Sequence, residues 1–352
     1  MSLSIGIDLG TSGIKVVIFA DGTRPMAQAS QAIAVSIPRL GWAEQDADLW
    51  VDAVFACMNE LAAGHSGLMA GVQAIGLSGQ MLACLPLGRD LRPLRPAMLW
   101  NDQRAIAECA DLVALVPDIG FRTNGTPDPG ITAPKLMWLA RHEPQVMDAA
   151  RMLLLTKDYV RLALTGEVAS DPTDAGGAQL LDCRTGLWDA GLCAAVGWNP
   201  DHLPPLLNAW DRAGDLRGPL AARWGLRAGI AVATGAGDNM GSTLGAGAAM
   251  PGDAVLTIGT SGVSCIVDAA FHPGPDRAIL TSAHAAPGTY LSMGVVMSAT
   301  AALEWVGRLT GLATATLATQ AEALVAAGGH ADAPVFLPCL NGIRTPLNRP
   351  EA

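Results

Sequence analysis

The sequence predicts an α/β protein built from two similar domains that face each other across a cleft. The chain has 352 residues, which is close to the limit for a single hydrophobic core. A glycine-rich turn, Gly-Thr-Ser-Gly, occurs at residues 10–13 and again at residues 259–262, as expected if two domains share one plan. Helical patterns such as residues 46–63 and 134–141 alternate with apolar runs at 72–77 and 230–233. This alternation is typical of a layered α/β domain.

Composition and charge exclude several classes of protein. Hydrophobic residues make up 50% of the chain and charged residues 15%, which excludes intrinsic disorder. The net charge of −10 repels nucleic acid and anionic membranes, so we expect neither as a partner. No membrane-spanning stretch or export signal is recognisable. The seven scattered cysteines contain no Cys-x-x-Cys pair, which favours reduced thiols and a soluble, cytoplasmic protein.

The first glycine-rich turn is predicted to connect two strands. Apolar runs at residues 5–8 and 14–19 flank it, whereas the Walker loop and the dinucleotide fingerprint both lead from a strand into a helix. Successive N–H groups of such a turn, together with the hydroxyls of Thr11 and Ser12, can hold phosphate oxygens without net positive charge. For one copy alone, an ordinary hairpin turn is the alternative interpretation.

The second turn repeats the apolar flanks of the first but not its charges. At an offset of 249 residues (259 minus 10), Asp8 maps onto Thr257 and Lys15 onto Ser264. A carboxylate beside a phosphate site needs a cation between them, so Asp8 predicts Mg²⁺ held largely through water. Lys15 either contacts a phosphate or is a solvated strand residue. The apolar flanks that repeat are Ile7, Leu9, Ile14 and Val17, which map onto Leu256, Ile258, Val263 and Ile266.

A second carboxylate follows the apolar run at residues 230–233. Asp238 lies in the segment 235–241, which contains three glycines. A residue at the carboxyl end of a strand faces the crevice of an open sheet, and glycines let a substrate approach closely. Asp238 is therefore a candidate for contact with substrate, and the alternative is a helix N-cap.

Small residues at 245–252 predict a hinge between the domains, or simply a helix end and a turn. We accordingly expect an N-terminal domain at residues 1–245 and a second domain from residue 246 to 352. In the second domain we expect a loop at Gly328 and Gly329, a strand at residues 335–337, and a polar loop at Glu351 and Ala352.

Eight short segments, in this order, resemble the FGGY family of carbohydrate kinases, and within it the branch that acts on xylulose. The resemblance covers the whole chain. The segments are residues 8–13, 78–81, 99–102, 133–136, 157–159, 237–239, 257–262 and 344–346.

The resemblance implies two actin- and Hsp70-like domains on ribonuclease-H-like sheets, with ATP and Mg²⁺ in the cleft. It implies phosphorylation of a ketopentose, D-xylulose to D-xylulose 5-phosphate, with Asp8 near Mg²⁺ and Asp238 accepting the proton of the sugar hydroxyl. The implied nucleotide contacts are Gly10, Thr11, Ser12, Gly13, Lys15, Gly259, Thr260, Ser261 and Gly262. The implied sugar contacts are Gln80, Met81, Leu82, Trp100, Asn101, Asp102 and Asn239.

The chain departs from the family pattern in two ways. Leu82 stands where the pattern has histidine, so a kinase for another ketose or for a polyol is an alternative. The second domain of the family continues well beyond residue 352, so we expect an incomplete second domain, sugar binding and poor ATP binding. A sugar-binding remnant without kinase activity is a further alternative. An Hsp70-like ATPase is disfavoured by the segments 99–102 and 237–239, and a homodimer is compatible with the sequence.

Overall fold

Two main β-sheets with flanking helices make up the structure, a computed structural model that describes residues 2–329, 331, 333–340 and 342–349. Glu351 and Ala352, where we expect a polar loop, lie outside these residues. The strands are β1 (Leu3–Leu9), β2 (Gly13–Ala20), β3 (Arg24–Ala32), β4 (Glu44–Gln45), β5 (Val72–Gly79), β6 (Leu85–Leu87), β7 (Ala97–Met98), β8 (Met152–Leu154), β9 (Leu181–Asp182), β10 (Leu187–Trp188), β11 (Arg212–Asp215), β12 (Ala231–Ala233), β13 (Ala236–Gly237), β14 (Ala254–Ile258), β15 (Gly262–Asp268), β16 (Leu280–Ala283) and β17 (Tyr290–Val296). The α-helices are α1 (Ala47–Gly64), α2 (Ser66–Met69), α3 (Ile106–Leu115), α4 (Ile119–Arg122), α5 (Thr132–His142), α6 (Pro144–Ala149), α7 (Thr156–Thr165), α8 (Pro172–Ala175), α9 (Ala190–Ala195), α10 (Gly218–Arg223), α11 (Asp238–Gly245), α12 (Thr300–Thr310) and α13 (Thr314–Ala326). Short 3₁₀ helices span Gly176–Ala178, Pro200–His202 and Pro275–Arg277.

The first sheet has the strand order β11-β12-β5-β1-β2-β3, and β13 also pairs with β5. The predicted hairpin is confirmed, since β1 and β2 pair antiparallel around the turn at residues 10–13. Strands β12 and β13 both run parallel to β5, as β1 does. Leu9 pairs with Gly79, and Gly79 with Gly237. The carboxyl ends of β1, β5 and β13 therefore meet at one edge of the sheet, where ligands bind in open α/β sheets.

The second sheet is antiparallel throughout, with the order β14-β15-β17-β16. Its first hairpin carries the second Gly-Thr-Ser-Gly turn, as predicted. The two turns differ in register by one residue. Leu9 pairs with Ile14 in the first hairpin, whereas Ile258 pairs with Gly262 in the second. The second turn is therefore one residue tighter.

The predicted helix at residues 46–63 is confirmed as α1, and its first turn is capped by Asp46, whose carboxylate accepts the N–H of Asp48 at 3.0 Å. This helix packs its apolar face on the first sheet. Trp50 and Val54 lie fully buried there, in the same apolar cluster as Ile5 of β1. Removing this apolar surface from water stabilises the sheet and the edge that it presents.

A smaller apolar cluster joins the first sheet to the second. It includes Met81 and Met240 from the first domain and Cys265, Leu291 and Met293 from the second. The core is thus continuous between the predicted domains.

The predicted hinge segment follows α11 and has the form of a helix end and turns. The Asp253 carboxylate accepts the N–H groups of Ala249 and Met250 at 3.0 and 2.8 Å. A His284 ring nitrogen lies 3.0 Å from the carbonyl oxygen of Ala248. Motion about this segment and the domain boundary at residue 245 stay predictions.

One local prediction is wrong. Gly328 lies in the turn after α13, as expected, but residues 335–337 form no strand. The side chain of Val335 is 87% exposed and that of Leu337 is 71% exposed. A strand needs a neighbouring strand for its hydrogen bonds, and none of the described residues pairs with this run. Within the described residues, no helix is both long enough and apolar enough to span a bilayer.

Candidate active site

A cavity of about 470 Å³ lies over one face of the first sheet, from Gly6 and Phe19 to the end of the sheet where Asp8 and Ser78 lie. Asp8 and Lys15 line it from one side, and Gly235 and Gly241 line it from the other. The exposed Asp8 carboxylate accepts a hydrogen bond from the Ser78 hydroxyl at 2.8 Å. Lys15 pairs with Asp8 across the hairpin and is exposed. The structure thus brings one carboxylate and one ammonium group to the same cavity.

Asp238 is the first residue of α11, and Gly237 occupies the N-cap position. The carboxylate Oδ1 of Asp238 accepts the backbone N–H of Asn239 at 2.7 Å and its side-chain amide at 3.1 Å. Burial raises the pKa of Asp238 to about 6, and the negative charge of Asp8 adds to the effect. Asp238 is therefore a weakly solvated carboxylate, as a general base requires.

Position 237 requires a glycine because Met81 packs closely against it. A Cβ at residue 237 would lie 2.7 Å from the Met81 sulfur. The glycine thus lets β13 approach the segment that follows β5, and this sets the position of Asp238.

The first glycine-rich turn is held by side chains rather than left open. The Thr11 hydroxyl donates to Gln80 Oε1 at 2.8 Å and accepts the indole N–H of Trp100, also at 2.8 Å. Its proton is therefore not available to a phosphate. The Ser12 side chain is exposed, so the turn offers this hydroxyl and its backbone N–H groups. Gly10 N–H is already bonded to the Gly13 carbonyl at 3.0 Å.

Gln45 is a supporting residue that sequence reasoning missed. Its side-chain amide donates to the Thr11 carbonyl at 2.8 Å, and its Oε1 accepts from Trp50 and Gln80 at 2.9 and 3.0 Å. Gln80, predicted as a sugar contact, is only 1% exposed. Its amide nitrogen donates to Gln45, and its Oε1 accepts from Thr11. Both glutamines thus form the inner support of the turn. No local pattern signals this role, because the partners lie far apart in sequence.

A second cavity, of about 550 Å³, lies on the predicted sugar side. Leu82, Trp100 and Asn101 line it, as does Arg344 from the C-terminal segment. The Trp100 side chain is 49% exposed, so its ring face is available to a ligand. Arg344 forms an ion pair with Asp128 at 3.3 Å, which ties the C-terminal segment to this wall.

Leu82 has a strained backbone conformation, with a φ of +70°. Its side chain lies against Gly177, where a Cβ would come within 2.6 Å of Leu82 Cδ2. Leucine rarely adopts positive φ, whereas histidine does so more often. An apolar side chain thus occupies this part of the sugar-side cavity at some conformational cost.

Asp102 is placed behind the wall instead of on it. It is fully buried. Its Oδ2 accepts from the Ala43 N–H and from Arg104, both at 2.7 Å, and its Oδ1 accepts twice more from Arg104. All of its hydrogen-bonding capacity is used inside the protein, which corrects the prediction of a direct sugar contact. Asn239 is exposed on α11 beside Asp238.

Lys135 is a second supporting residue without an assigned role in the sequence. Its buried ammonium group lies 3.0 Å from the Leu82 carbonyl and 2.6 Å from those of Leu99 and Gly130. Burial lowers the pKa of Lys135 to about 8. The lysine therefore fixes the two segments that carry Leu82 and Trp100. A lysine in the otherwise uncharged run 131–140 was the available signal.

The second glycine-rich turn is anchored on the start of α12. The carbonyls of Gly259 and Thr260 accept the N–H groups of Thr300 and Ala299 at 2.9 and 2.8 Å. The side chains of Thr260 and Ser261 are exposed. Both hydroxyls are thus available to a ligand, in contrast to that of Thr11.

Comparison with known proteins agrees with this arrangement. The N-terminal domain model of the FGGY family of carbohydrate kinases matches residues 3–245. The xylulose kinase of Escherichia coli strain K12 is 40% identical over 352 residues, an alignment that covers 99% of this chain and 71% of that protein. The chain thus spans about seven tenths of the length of this relative.

Two solved structures are similar over nearly the whole chain. A protein described as a xyloylose kinase, from Brucella ovis, superposes with a TM-score of 0.93 at 40% identity, covering 99% of this chain and 72% of its own. Xylulose kinase from Rhodospirillum rubrum superposes with a TM-score of 0.90 at 30% identity and with the same coverage. These neighbours confirm the predicted kinase fold, with its actin-like and ribonuclease-H-like sheets. The chain belongs to the FGGY family of carbohydrate kinases.

Proposed function

We propose that this chain transfers the γ-phosphoryl group of ATP to the terminal hydroxyl of a ketopentose, converting D-xylulose to D-xylulose 5-phosphate. The observation that carries the proposal is the meeting of Asp8 and Asp238 at one sheet edge. Relatives and neighbours of 30–40% identity that bear the name xylulose kinase support the choice of sugar. The composition supports a cytoplasmic location without nucleic-acid or membrane partners, and a homodimer stays a prediction.

Asp238 is assigned the role of general base. With a pKa raised to about 6, it is predominantly ionised at pH 7 yet more basic than an ordinary aspartate. It orients the sugar hydroxyl and accepts its proton as the oxygen–phosphorus bond forms. The bond between the γ-phosphorus and the bridging oxygen breaks at the same time, and ADP leaves with that oxygen.

The nucleotide side is assigned to the two glycine-rich turns. Residues 10–13 offer backbone N–H groups and the Ser12 hydroxyl, and residues 259–262 offer the hydroxyls of Thr260 and Ser261. Lys15 is assigned to the phosphates, because its exposed side chain lines the same cavity as Asp8. Such donors stabilise the charge of a loose phosphoryl-transfer transition state.

Asp8 suits a hydrated magnesium ion. Mg²⁺ usually keeps several waters and binds through one or two carboxylates together with substrate phosphates. The exposed Asp8 carboxylate, with Ser78 holding one of its oxygens, provides such a ligand. Bound Mg²⁺ would neutralise phosphate charge.

The sugar side is assigned to Met81, Leu82, Trp100, Asn101 and Asn239. Leu82 supplies an apolar wall at a position where the family pattern has histidine. This observation favours a second candidate function, a kinase for another ketose or a polyol, because a site without a polar partner rejects related hydroxyl compounds poorly.

A coupled assay of ADP release over a panel of pentuloses, hexuloses and polyols tests the proposal. We expect D-xylulose to give the highest kcat/KM, and the weak ATP binding predicted from the sequence to show as a high KM for ATP. A higher kcat/KM for a polyol or a hexulose would show that this compound, and not D-xylulose, is the substrate. Sugar binding without turnover of any compound in the panel would favour a sugar-binding remnant without kinase activity.

A further inference from the structure

We propose that a buried charge cluster, built from Lys157, Asp158, Arg161, Asp171 and Asp174, positions the general base Asp238 by holding the backbone on its N-terminal side, with Thr173 as the contacting residue. The inference rests on the proposed function, since it assumes that Asp238 is the base. Thr173 and Arg161 are positioning residues, since both are buried and neither lines either cavity of the candidate site.

The cluster is closed to solvent and tightly connected. All five side chains are fully buried. The Lys157 ammonium group lies 2.7 Å from Asp158, 2.9 Å from Asp171 and 3.3 Å from Asp174. Arg161 donates to Asp158 at 2.9 Å. Burying charges is costly unless they are paired, so this cluster is a rigid unit that opposes rearrangement.

Two hydrogen bonds connect this unit to the segment that leads into Asp238. Arg161 Nη1 donates to the Thr234 carbonyl at 2.8 Å. The Gly237 N–H donates to the Thr173 hydroxyl at 3.0 Å. Thr173 is in turn fixed by the cluster, because its own N–H donates to Asp171 at 2.9 Å. Hydrogen bonds therefore fix the backbone from residue 234 to 237 at both ends.

The contact at Gly237 matters most because it immediately precedes Asp238. Gly237 has no side chain to hold it, and Met81 packs directly on its Cα. Without the Thr173 hydroxyl, the buried Gly237 N–H would lack a partner, and the start of α11 would shift to find one. A displacement of about 1 Å at a reacting group can lower the rate by about 100-fold.

Asp174 is the member of the cluster whose carboxylate has the weakest contacts. The five groups carry two positive and three negative charges if all are ionised. Neither Asp174 oxygen accepts a hydrogen bond from the described residues, and the carboxylate is held by its ion pair with Lys157 at 3.3 Å. Burial raises the pKa of Asp174 well above its ordinary value, and the carboxylates of Asp158, Asp171 and Asp238 add to the effect, against Lys157.

The test compares Thr173→Val with Thr173→Ser in the intact protein. Valine preserves the volume and removes the acceptor, whereas serine keeps the hydroxyl. Thr156→Val is the matched control, because Thr156 is fully buried at the start of α7 and its hydroxyl has no partner among the described residues. Arg161→Lys is a second variant, which keeps the charge but shortens the reach to Thr234. Steady-state kinetics with ATP and D-xylulose, sugar affinity by calorimetry, and amide hydrogen exchange at Gly237 are measured for each.

We expect Thr173→Val to lower kcat by about 10- to 100-fold, with sugar affinity changed less than threefold and Gly237 exchange at least tenfold faster. Serine should restore kcat to within about threefold, and Thr156→Val should match the wild type. Arg161→Lys should also lower kcat more than it changes sugar affinity. If Thr173→Val does not fold, the kinetics of Arg161→Lys test the proposal in its place.

Equal losses of kcat and sugar affinity in Thr173→Val, or equal losses in Thr173→Val and Thr156→Val, would overturn the proposal. If the wild type phosphorylates no sugar, the proposed function fails instead. The exchange measurement then decides separately whether Thr173 holds the Gly237 backbone.

Discussion

The indole N–H of Trp100 donates a hydrogen bond of 2.8 Å to the hydroxyl of Thr11. These residues are 89 positions apart, one on the wall of the sugar-side cavity and the other in the first glycine-rich turn. The bond joins the two halves of the candidate site. A ligand that moves the exposed ring of Trp100 will therefore change the hydrogen bonding of Thr11 in the turn.

Trp100→Phe keeps an aromatic wall and removes this bond. A hydrogen bond is worth about 1 kcal/mol, so we expect the KM values for sugar and for ATP each to rise about fivefold. Trp188→Phe is a matched control, since it removes an indole bond of 2.8 Å to the Pro204 carbonyl, outside both cavities. In a double-mutant cycle with Thr11→Val, additive effects would show that the two residues do not couple.

The pH dependence of kcat/KM reports the ionisation of Asp238. Its pKa is raised to about 6 by burial and by the nearby Asp8, and the base must be ionised to accept a proton. We therefore expect kcat/KM to be constant above about pH 7 and to fall tenfold per unit below about pH 6. An acid limb below pH 5 would show that Asp238 is solvated like an ordinary aspartate or is not the base.

Leu82→His restores a polar group at the strained position. We expect the wild type to distinguish D-xylulose from other pentuloses and polyols weakly, by less than about 100-fold in kcat/KM, in the range of pockets that lack a hydrogen-bonding partner. The histidine variant should discriminate more strongly. A wild-type preference of several orders of magnitude would mean that another residue supplies the contact.

Lys135→Met removes the ammonium group that ties the segments of Leu82 and Trp100. We expect the free energy of unfolding to fall by about 1–3 kcal/mol for each buried carbonyl that loses its donor, and the KM for sugar to rise. Burial lowers the pKa of Lys135 from 10.5 to about 8. The unfolded chain therefore binds more protons between these values, and the stability contributed by the lysine rises with pH across that window. Denaturant unfolding of both proteins at pH 7.5 and 9.5 measures this. A stability difference that shrinks as the pH rises would contradict it.

The sequence was sufficient for the features that depend on neighbours along the chain. The two turns, their flanking strands and the strand end before Asp238 follow from local glycine and apolar patterns. The roles of Lys135 and Gln45 could not be predicted in this way. Lys135 meets carbonyls of residues 82, 99 and 130, and only the folded chain brings these together.

Dependence on the folded chain also explains why two of the predicted sugar contacts are wrong. Gln80 and Asp102 lie next to cavity residues in sequence, but both are buried. Gln80 follows the end of β5, and Asp102 ends a turn that its N–H closes on the Leu99 carbonyl at 3.1 Å. In such irregular segments no period of the sequence shows which side chains face inward. The one-residue difference in register between the two hairpins is likewise invisible to an alignment of identical tetrapeptides.

The transfer of label from γ-³²P-ATP to D-xylulose, compared between the wild type and Asp238→Asn, tests the central claim most directly. General-base groups contribute about 10²- to 10⁴-fold, so we expect labelled xylulose 5-phosphate from the wild type and a kcat lower by at least 100-fold in the variant, with sugar affinity nearly unchanged. Asp21→Asn, in an exposed turn at positive φ that asparagine also tolerates, should behave as the wild type. Label released only as inorganic phosphate, or equal turnover by Asp238→Asn and wild type, would contradict the account.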